Sequence, residues 1–357
     1  MKLDLFGWND FFETRFAPYA RQGLQPGRIT VQHKDRYMLF TERGEVSGKV
    51  SGKFRFVVSG LHDFPAVGDW VVFGIDPGDQ SVVIHHVLER RSKFSRKVAG
   101  DRPDEQVIAA NIDIIFLVMG LDENYNLRRL ERHLTVASES GARSVILLNK
   151  SDLCTHLEEC TQEVLSIAHG VDVVVMSALH KETVLPIFSL LTPGMTGVLL
   201  GSSGVGKSTI INVLLNKEKV KVQKVRMSDS HGRHTTAHRE LLMLPNGSMI
   251  IDTPGLRELQ LWNGEEGLQE SFDDIEELAA NCRFRDCMHE TEPGCAVLSA
   301  VEQGTIELER YTSFQKLQHE TLYQTTKNNS NYRRTEKQLG KKITKQLRNK
   351  PHTLDEQ

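Results

Sequence analysis

The chain has 357 residues, of which 39% are hydrophobic and 25% are charged, and its net charge is −3. This composition is typical of a soluble globular protein, and the length predicts two or three domains. The longest apolar run, at residues 114–119, is far shorter than the ~20 residues that a membrane span needs. Residues 1–12 lack the pattern of a signal peptide. We therefore expect a cytoplasmic protein with reduced thiols and no membrane partner.

Residues 28–88 predict a small β-barrel. Five short runs rich in apolar and β-branched residues are separated by glycine turns, which is typical of strands. The runs occupy residues 28–32, 37–41, 54–58, 69–73 and 81–85. Five strands in so short a segment favour a barrel of the oligonucleotide-binding (OB) type. Because an SH3-like barrel shows similar alternation, the pattern leaves that alternative open.

From residue 112 onwards, apolar strands, polar loops and helical stretches alternate. Near-continuous apolar runs are typical of parallel strands that are buried on both faces. These runs occupy residues 112–119, 144–148, 171–176, 197–200 and 249–251. We predict an α/β, doubly wound domain for this region.

A tetrapeptide of the form N-K-x-D directly follows the second of these strands. It consists of Asn149, Lys150, Ser151 and Asp152. The Asp152 carboxylate suits guanine, because it can accept from the ring N–H and the exocyclic amine together, and polar sites of this kind reject the wrong base strongly. Asn149 would orient the loop and meet the other purine edge, while the Lys150 stem lies along the base. Ser177 and Ala178 fit the short backbone element that flanks the guanine.

The phosphate-binding pattern G-x-x-x-x-G-K-[ST] follows the strand at 197–200 and opens a helix predicted over residues 208–215. Its glycines let backbone N–H groups point at phosphate oxygens, and the helix N-terminus adds a favourable field. Lys207 is predicted to contact the β and γ phosphates, and Ser208 to ligate Mg²⁺. The pattern consists of Gly201, Ser202, Ser203, Gly204, Val205, Gly206, Lys207, Ser208 and Thr209.

Two further elements suit a γ phosphate and its Mg²⁺ ion. Asp252 and Gly255 belong to a D-x-x-G element after the last strand, where the Asp holds Mg²⁺ through water and the Gly N–H meets the γ phosphate. Thr235 or Thr236 lies between the phosphate-loop helix and Asp252, where a threonine would complete the Mg²⁺ shell. Either element alone could be an ordinary turn, but together with the phosphate loop they predict a site for GTP and GDP with Mg²⁺.

Three of the five cysteines and one histidine cluster in the last third of the chain. Three thiolates and an imidazole form a closed tetrahedral set, which suits one structural Zn²⁺ and leaves no open position for catalysis. The predicted ligands are Cys282, Cys287, His289 and Cys295. Cys154 and Cys160 have no comparable neighbours in the sequence, and we interpret them as incidental.

Two basic segments predict an anionic partner, with nucleic acid as the leading candidate. Residues 327–350 hold nine Lys or Arg against one acid, Glu336. Taken alone, this tail is equally well explained as a solubility device. The second segment surrounds Phe94 and consists of Arg90, Arg91, Lys93, Arg96 and Lys97.

The N-K-x-D loop precedes the phosphate loop, so the order of the motifs is circularly permuted relative to ordinary small GTPases. With these motifs, the segment 232–236 (Gly-Arg-His-Thr-Thr) and the cysteine cluster, the chain resembles the ribosome small subunit-dependent GTPase A family over nearly its whole length. The resemblance implies a multidomain protein with an OB-like barrel, an α/β circularly permuted P-loop GTPase domain and a mainly helical zinc-binding domain. We place these domains at residues 1–98, 99–262 and 263–357.

The resemblance also implies a function. It implies hydrolysis of GTP to GDP and phosphate, stimulated by the small ribosomal subunit, in a protein that binds rRNA and acts in late maturation of that subunit. We expect a monomer. The alternative is a GTP-gated RNA-binding assembly factor in which hydrolysis is incidental. An ATP kinase is disfavoured by the N-K-x-D loop.

The residue after Gly255 is Leu256, whereas many GTPases carry a water-orienting Gln there. Leucine cannot hold a water, so another group must position the nucleophile and unassisted hydrolysis should be slow. The family's corresponding histidine indicates His234, with His231 and Arg233 as alternatives. The predicted catalytic residues are His234, Lys207, Thr235 and Thr236.

Overall fold

The computed structural model describes residues 2–33, 36–75, 81–97, 105–168, 170–217, 239–253, 268–269, 271–319 and 321–322. Near the N-terminus, helix α1 (Asp10–Ala20) begins where the Asn9 side chain accepts a hydrogen bond from the Phe11 N–H. Its buried face presents Phe12, which packs beside Trp70 of the barrel. The N-terminal segment therefore packs in the core that Trp70 shares with the central domain, whereas the barrel interior forms a separate cluster.

Five strands form a closed barrel, which confirms the predicted fold of this region. They pair in the order β1-β2-β3-β5-β4, and β4 returns to β1. The β3–β5 pair is parallel and the other pairs are antiparallel, which is the OB arrangement and not the SH3-like one. The strands are β1 (Gln25–Gln32), β2 (Tyr37–Thr41), β3 (Gly44–Val50), β4 (Trp70–Ile75) and β5 (Val82–Val87).

One predicted barrel strand is wrong and one was missed. Residues 54–58 belong largely to helix α2 (Gly52–Val57), because the Ser51 hydroxyl accepts from the Phe54 N–H and caps a helix there. Strand β3 was missed because its glycines look like a turn. Gly48 is required by packing, since a Cβ there would lie 2.8 Å from a methyl carbon of Val82.

The central domain is built on a parallel sheet, as predicted, with the strand order β10-β9-β8-β11-β13. All five apolar runs form these strands, and β12 (Arg239–Met243) pairs antiparallel with β13. The parallel strands are β8 (Ile114–Gly120), β9 (Arg143–Asn149), β10 (Asp172–Val175), β11 (Thr196–Leu200) and β13 (Met249–Asp252). The described helices of this region are α3 (Leu127–Ser138), α4 (Leu157–Ile167), α5 (Lys181–Val184), α6 (Ile187–Leu190) and α7 (Lys207–Leu215).

The barrel and the central sheet are continuous, because β12 also pairs with β1. A hairpin of β6 (Lys93–Lys97) and β7 (Glu105–Ala110) spans the boundary predicted at residue 98. The predicted domain limits remain predictions.

The C-terminal region is mainly helical, as predicted, with α8 (Asp273–Ala279), α9 (Ala296–Glu302) and a helix at 308–319. It packs on the central domain through the buried side chain of Arg310. This guanidinium donates to Asp274 at 2.6 and 2.7 Å, and to Glu131 of α3 at 3.0 Å. Within the described residues, no helix is long and apolar enough to cross a membrane.

A second buried guanidinium, that of Arg28 in β1, joins the barrel to the central domain. It donates to the carbonyl oxygen of Gly68 at 3.1 Å, that of Asn111 at 3.1 Å and the Thr196 hydroxyl at 2.9 Å. It also donates to the carbonyl oxygen of Phe6. Burial lowers the pKa of Arg28 to about 10, so the group is still charged at neutral pH.

Arg28→Ala should lower the free energy of unfolding by about 3 kcal/mol, because several buried acceptors would lose their donor. Urea denaturation measures this difference. Arg21→Ala, which truncates an exposed arginine at the end of α1, is the matched control and should change the midpoint little. Equal midpoints for the two variants would contradict a structural role for Arg28.

Candidate functional site

The phosphate loop joins β11 to α7 in a conformation that requires glycine. Gly201, Gly204 and Gly206 have φ angles of +152°, +82° and +103°. A Cβ on Gly201 would lie 2.3 Å from the Val118 carbonyl oxygen, and one on Gly206 would lie 2.2 Å from Asn149 Nδ2. Gly201 and Gly206 therefore lie too close to neighbouring groups for any other residue type to replace them.

Lys207 lies in the first turn of α7, and its amine reaches back over the loop. Lys207 Nζ donates to the carbonyl oxygens of Gly201 and Ser202, both at 2.6 Å. Ser208 and Thr209 follow in the same turn and are half-buried. This brings a cation, two hydroxyls and a helix N-terminus to one loop, which is the arrangement that binds phosphate.

Asn149 ends β9 and is buried, with 1% of its surface exposed. Its Nδ2 donates to the Val205 carbonyl oxygen of the phosphate loop at 2.7 Å, and its Oδ1 accepts from the Ala178 N–H at 2.8 Å. One side chain thus connects the N-K-x-D loop, the phosphate loop and the Ser177 element. These two hydrogen bonds would allow Asn149 to orient the loop, which is the role predicted for it.

Lys150 adopts a left-handed φ of +65°, and its Nζ lies 2.6 Å from Asp122 Oδ2. Burial opposes ionisation of Asp122, but hydrogen bonds from Lys150 and Asn124 outweigh it and lower the pKa of Asp122. The next residues, Ser151–Leu153, form a short turn in which Asp152 is exposed. The carboxylate of Asp152 is therefore accessible to a ligand.

Asp252 ends β13, which lies beside β11 in parallel register, with Val198 opposite Ile251. Because parallel strands end at one edge of the sheet, Asp252 lies at the same edge as the phosphate loop and the N-K-x-D loop. The other predicted contacts of the γ phosphate and Mg²⁺ lie outside the described residues. These are His234, Thr235, Thr236 and Gly255.

Two residues at this edge were missed by the motif analysis. Asp122 holds Lys150, and Arg129 in the first turn of α3 donates to the Ser202 hydroxyl at 2.8 Å. Nearby His133 is buried, and burial together with the charges of Arg129 and Lys207 lowers its pKa to about 4. The only sequence signal for Asp122 and Arg129 is their position just after the central strand β8.

Three of the five basic residues around Phe94 lie beside acids, and the side chains of the other two, Arg96 and Lys97, lie outside the described part of the chain. Arg90 donates to both carboxylate oxygens of Asp69, at 2.8 and 2.7 Å. Lys93 Nζ lies 2.7 Å from Glu105 Oε1, and Arg91 lies 3.6 Å from Asp113. Arg90 therefore serves the fold of the barrel, and the segment carries less free positive charge than its sequence indicates.

The four predicted metal ligands come together in the C-terminal region. The candidate donor atoms of Cys282, Cys287, His289 and Cys295 all lie within 4.8 Å of one another. His289 Nδ1 lies 3.4 Å from Cys295 Sγ and 3.6 Å from Cys282 Sγ. This Cys₃His group could hold a metal ion, and its donors match a closed tetrahedral site.

Backbone N–H groups beside the cluster favour the thiolate form of a ligand. The Ala296 N–H lies 3.3 Å from Cys282 Sγ, at the start of α9. Burial opposes ionisation, but N–H donors from Ala296 and Val297 outweigh it and lower the pKa of Cys282. His289 has a φ of +61°, and its carbonyl oxygen accepts from Tyr311 and Gln315. The ligand loop is thus fixed by groups that do not bind the metal themselves.

The N-K-x-D loop precedes the phosphate loop along the chain, yet each loop directly follows a strand of the same parallel sheet. The fold and the site therefore define a circularly permuted P-loop GTPase. The family model described as RsgA GTPase matches residues 87–262. The chain belongs to this family and is a GTP hydrolase.

Relatives with similarity over most of their length support this assignment. The small ribosomal subunit biogenesis GTPase RsgA of Opitutus terrae is 43% identical over 96% of this chain and 96% of its own. RsgA 1 of Oceanobacillus iheyensis is 44% identical over 89% of this chain and 91% of its own.

Solved structures show the same architecture. The crystal structure of YjeQ from Thermotoga maritima has a TM-score of 0.62 at 26% identity, covering 84% of this chain and 99% of that one. The structure of YloQ, described as a circularly permuted GTPase, has a TM-score of 0.59 at 24% identity, covering 84% and 95%. The latter supports the fold alone.

Asn149→Ala should weaken the binding of GTP and GDP by about 2 kcal/mol, or about 30-fold, because Val205 and Ala178 would lose their shared partner. Titration with a fluorescent guanine nucleotide measures this effect. Asn281→Ala, at an exposed position in the C-terminal region, is the control. Unchanged affinity in Asn149→Ala would show that the connection between the loops is dispensable.

Proposed function

We propose that this protein hydrolyses GTP to GDP and phosphate in a reaction stimulated by the small ribosomal subunit, and that it acts in late maturation of that subunit. The observation that carries the GTP part is the pair of hydrogen bonds from Asn149 to the phosphate loop and to Ala178. The names of the relatives from Opitutus and Oceanobacillus support the ribosomal part.

In this proposal the phosphates replace the carbonyl partners of Lys207, whose amine then contacts the β and γ phosphates. Ser208 and Asp252 hold the Mg²⁺ ion that accompanies GTP, together with Thr235 or Thr236. Mg²⁺ neutralises charge that develops on the phosphate oxygens. Backbone N–H groups of the loop, including that of Gly206, and the N–H of Gly255 bind the remaining oxygens.

Guanine is read by Asp152, whose carboxylate accepts from the ring N–H and the exocyclic amine. Two observations support this role. Asp152 is exposed, and the turn that carries it directly follows Asn149 and Lys150, which are bonded to the phosphate loop and to Asp122. A pre-positioned acceptor favours guanine over adenine, because adenine would leave the carboxylate without donors.

The attacking water needs a partner other than residue 256, which is leucine. We assign this role to His234, which is adjacent to the threonines proposed for Mg²⁺. In this proposal, binding to the small subunit places His234 beside the attacking water and so accelerates hydrolysis. Contact with rRNA comes from the barrel and from the basic residues 327–350, which lie outside the described part of the chain.

The metal in the C-terminal region is Zn²⁺ in this proposal. Three thiolates and one imidazole suit Zn²⁺, and such a closed set has no position for substrate. Zinc supplies folding energy to the region around the ligands.

Asp152→Asn should lose most of its affinity for GTP and gain affinity for xanthosine triphosphate, because an amide can donate to the carbonyl of xanthine. Competition with a fluorescent nucleotide compares the two. Asp172→Asn changes an exposed acid on β10 and should leave the preference for GTP intact. Unaltered GTP affinity in Asp152→Asn would remove the guanine assignment.

Cys287→Ser should release the metal and unfold the C-terminal region, because apparent zinc-binding energies of roughly 10–16 kcal/mol amount to folding energy in small zinc domains. Metal analysis should find one zinc in the wild type and in Cys160→Ser, the matched control, and none in Cys287→Ser. Guanine nucleotide affinity should change little. A wild type without zinc would refute the assignment.

His234→Ala should keep its GTP affinity within a few-fold but lose most of the rate stimulated by the small subunit, because the attacking water loses its partner. The variant should also remain on the subunit in the GTP state, as measured by sedimentation. His156→Ala, at an exposed loop position, is the control. Wild-type turnover by His234→Ala would shift the role to Arg233 or a ribosomal group, and normal release without hydrolysis would favour the GTP-gated assembly factor.

A further inference from the structure

Two cysteines that the nucleotide and metal sites do not use lie close together beside the N-K-x-D loop. Cys154 Sγ and Cys160 Sγ are 4.0 Å apart. A disulfide has a bond length of about 2.05 Å, so the sulfurs must approach by about 2 Å. Both residues are free thiols of intermediate exposure, so a small oxidant can reach them from solvent.

The two cysteines lie in different parts of the domain, one beside the turn that carries Asp152 and the other in a helix. Cys154 directly follows the turn Ser151–Leu153 that carries Asp152, and its N–H donates to the Ser151 carbonyl oxygen at 3.3 Å. Cys160 lies in α4, and its carbonyl oxygen accepts from the Tyr125 hydroxyl at 3.2 Å. A bond between the sulfurs would therefore tie the turn directly to α4.

The two ends of the pair differ in freedom to move. Helix α4 is anchored in the core by Val164, which is fully buried, and by Ile167. The turn is more exposed, since Leu153 has 61% of its surface accessible and Asp152 is exposed as well. Closing the sulfur–sulfur distance should consequently move Cys154 and the turn, and displace Asp152 from its position beside the base.

We propose that Cys154 and Cys160 form a reversible disulfide that lowers the affinity of the protein for guanine nucleotides. The proposal rests on the proposed guanine-reading role of Asp152. It assigns to these thiols a modification site whose co-reactant is a small disulfide. Regulatory disulfides of this kind occur in otherwise reducing compartments.

The chemistry balances with a small disulfide as oxidant. A thiolate of the pair attacks one sulfur of the oxidant, which forms a mixed disulfide and releases one small thiol. The second thiolate then attacks the protein sulfur of the mixed disulfide, which closes the Cys154–Cys160 bond and releases a second small thiol. The protein loses two protons and two electrons, and the oxidant gains them.

The local environment sets the conditions for this reaction. Burial, followed by the hydrogen bond with Cys154, raises the pKa of Cys160. The thiolate, which is the reactive form, is therefore scarce at neutral pH, and the reaction should accelerate as the pH rises.

The test uses the full-length, zinc-loaded protein and oxidised glutathione as the probe. After alkylation of the remaining thiols, peptide mass analysis should find Cys154 linked to Cys160 with the loss of two hydrogens. Affinity for fluorescent GDP should fall about 5- to 50-fold and recover on treatment with dithiothreitol. Cys154→Ser and Cys160→Ser should bind GDP like the reduced wild type and should not respond to the probe in this way.

Two outcomes would overturn the proposal. The first is that Cys154 and Cys160 stay unlinked while the probe is in excess, and the second is that they link without any change in GDP affinity. Failure of the guanine assignment is distinguishable, because the reduced wild type would then fail to prefer GDP over ADP. Zinc content, measured in the same samples, separates this effect from oxidation of the metal ligands.

Discussion

The arrangement of the molecule depends on the buried guanidinium of Arg28. It is in the barrel strand β1, yet it bonds to Thr196 at the start of β11, the strand that leads into the phosphate loop. It also donates to the carbonyl oxygens of Gly68 and Asn111, the first of which accepts from Asn111 Nδ2 as well. The direct pairing of β1 with β12 adds a second link between barrel and central sheet. A partner that binds the barrel is thereby in mechanical contact with the nucleotide domain.

The contacts of Asn149 show why circular permutation leaves the nucleotide site intact. Permutation moves the chain ends but preserves the strand order, so the end of β9 still meets the loop after β11. On the opposite side of the site, α3 carries both Arg129, which bonds Ser202, and Glu131, which bonds Arg310. The C-terminal region and the phosphate loop are thus contacts of a single helix. Since Arg310 and Glu131 are buried, this ion pair specifies one docking geometry rather than adding much stability.

The features that could be predicted from the sequence are those encoded by local spacing. The phosphate loop, the N-K-x-D loop and the cysteine cluster each place their chemistry within a few residues, and five apolar runs indicated the parallel strands. The features that were missed or predicted wrongly are of two kinds. In some, one residue overrides the local strand pattern, and in others the interacting partner is distant in the sequence. Ser51 caps a helix in the strand-like run 54–58, and Gly48 made strand β3 resemble a turn. The ion pair of Arg90 was missed because its acid, Asp69, is 21 residues away. No pattern in the sequence pairs Arg28 with Thr196. No such pattern shows that Cys154 lies beside Cys160 either, because that contact depends on the position of Cys160 in α4.

In the proposed function, the small ribosomal subunit drives the hydrolysis of GTP at this permuted site. The most direct measurement is the release of phosphate from GTP by the purified protein, with and without isolated small ribosomal subunits. We expect slow release by the protein alone, near the ~10⁻⁴ s⁻¹ scale of unassisted small GTPases, and a large increase on addition of small subunits but not of large subunits. An equal rate with and without small subunits would show that the small subunit does not drive hydrolysis.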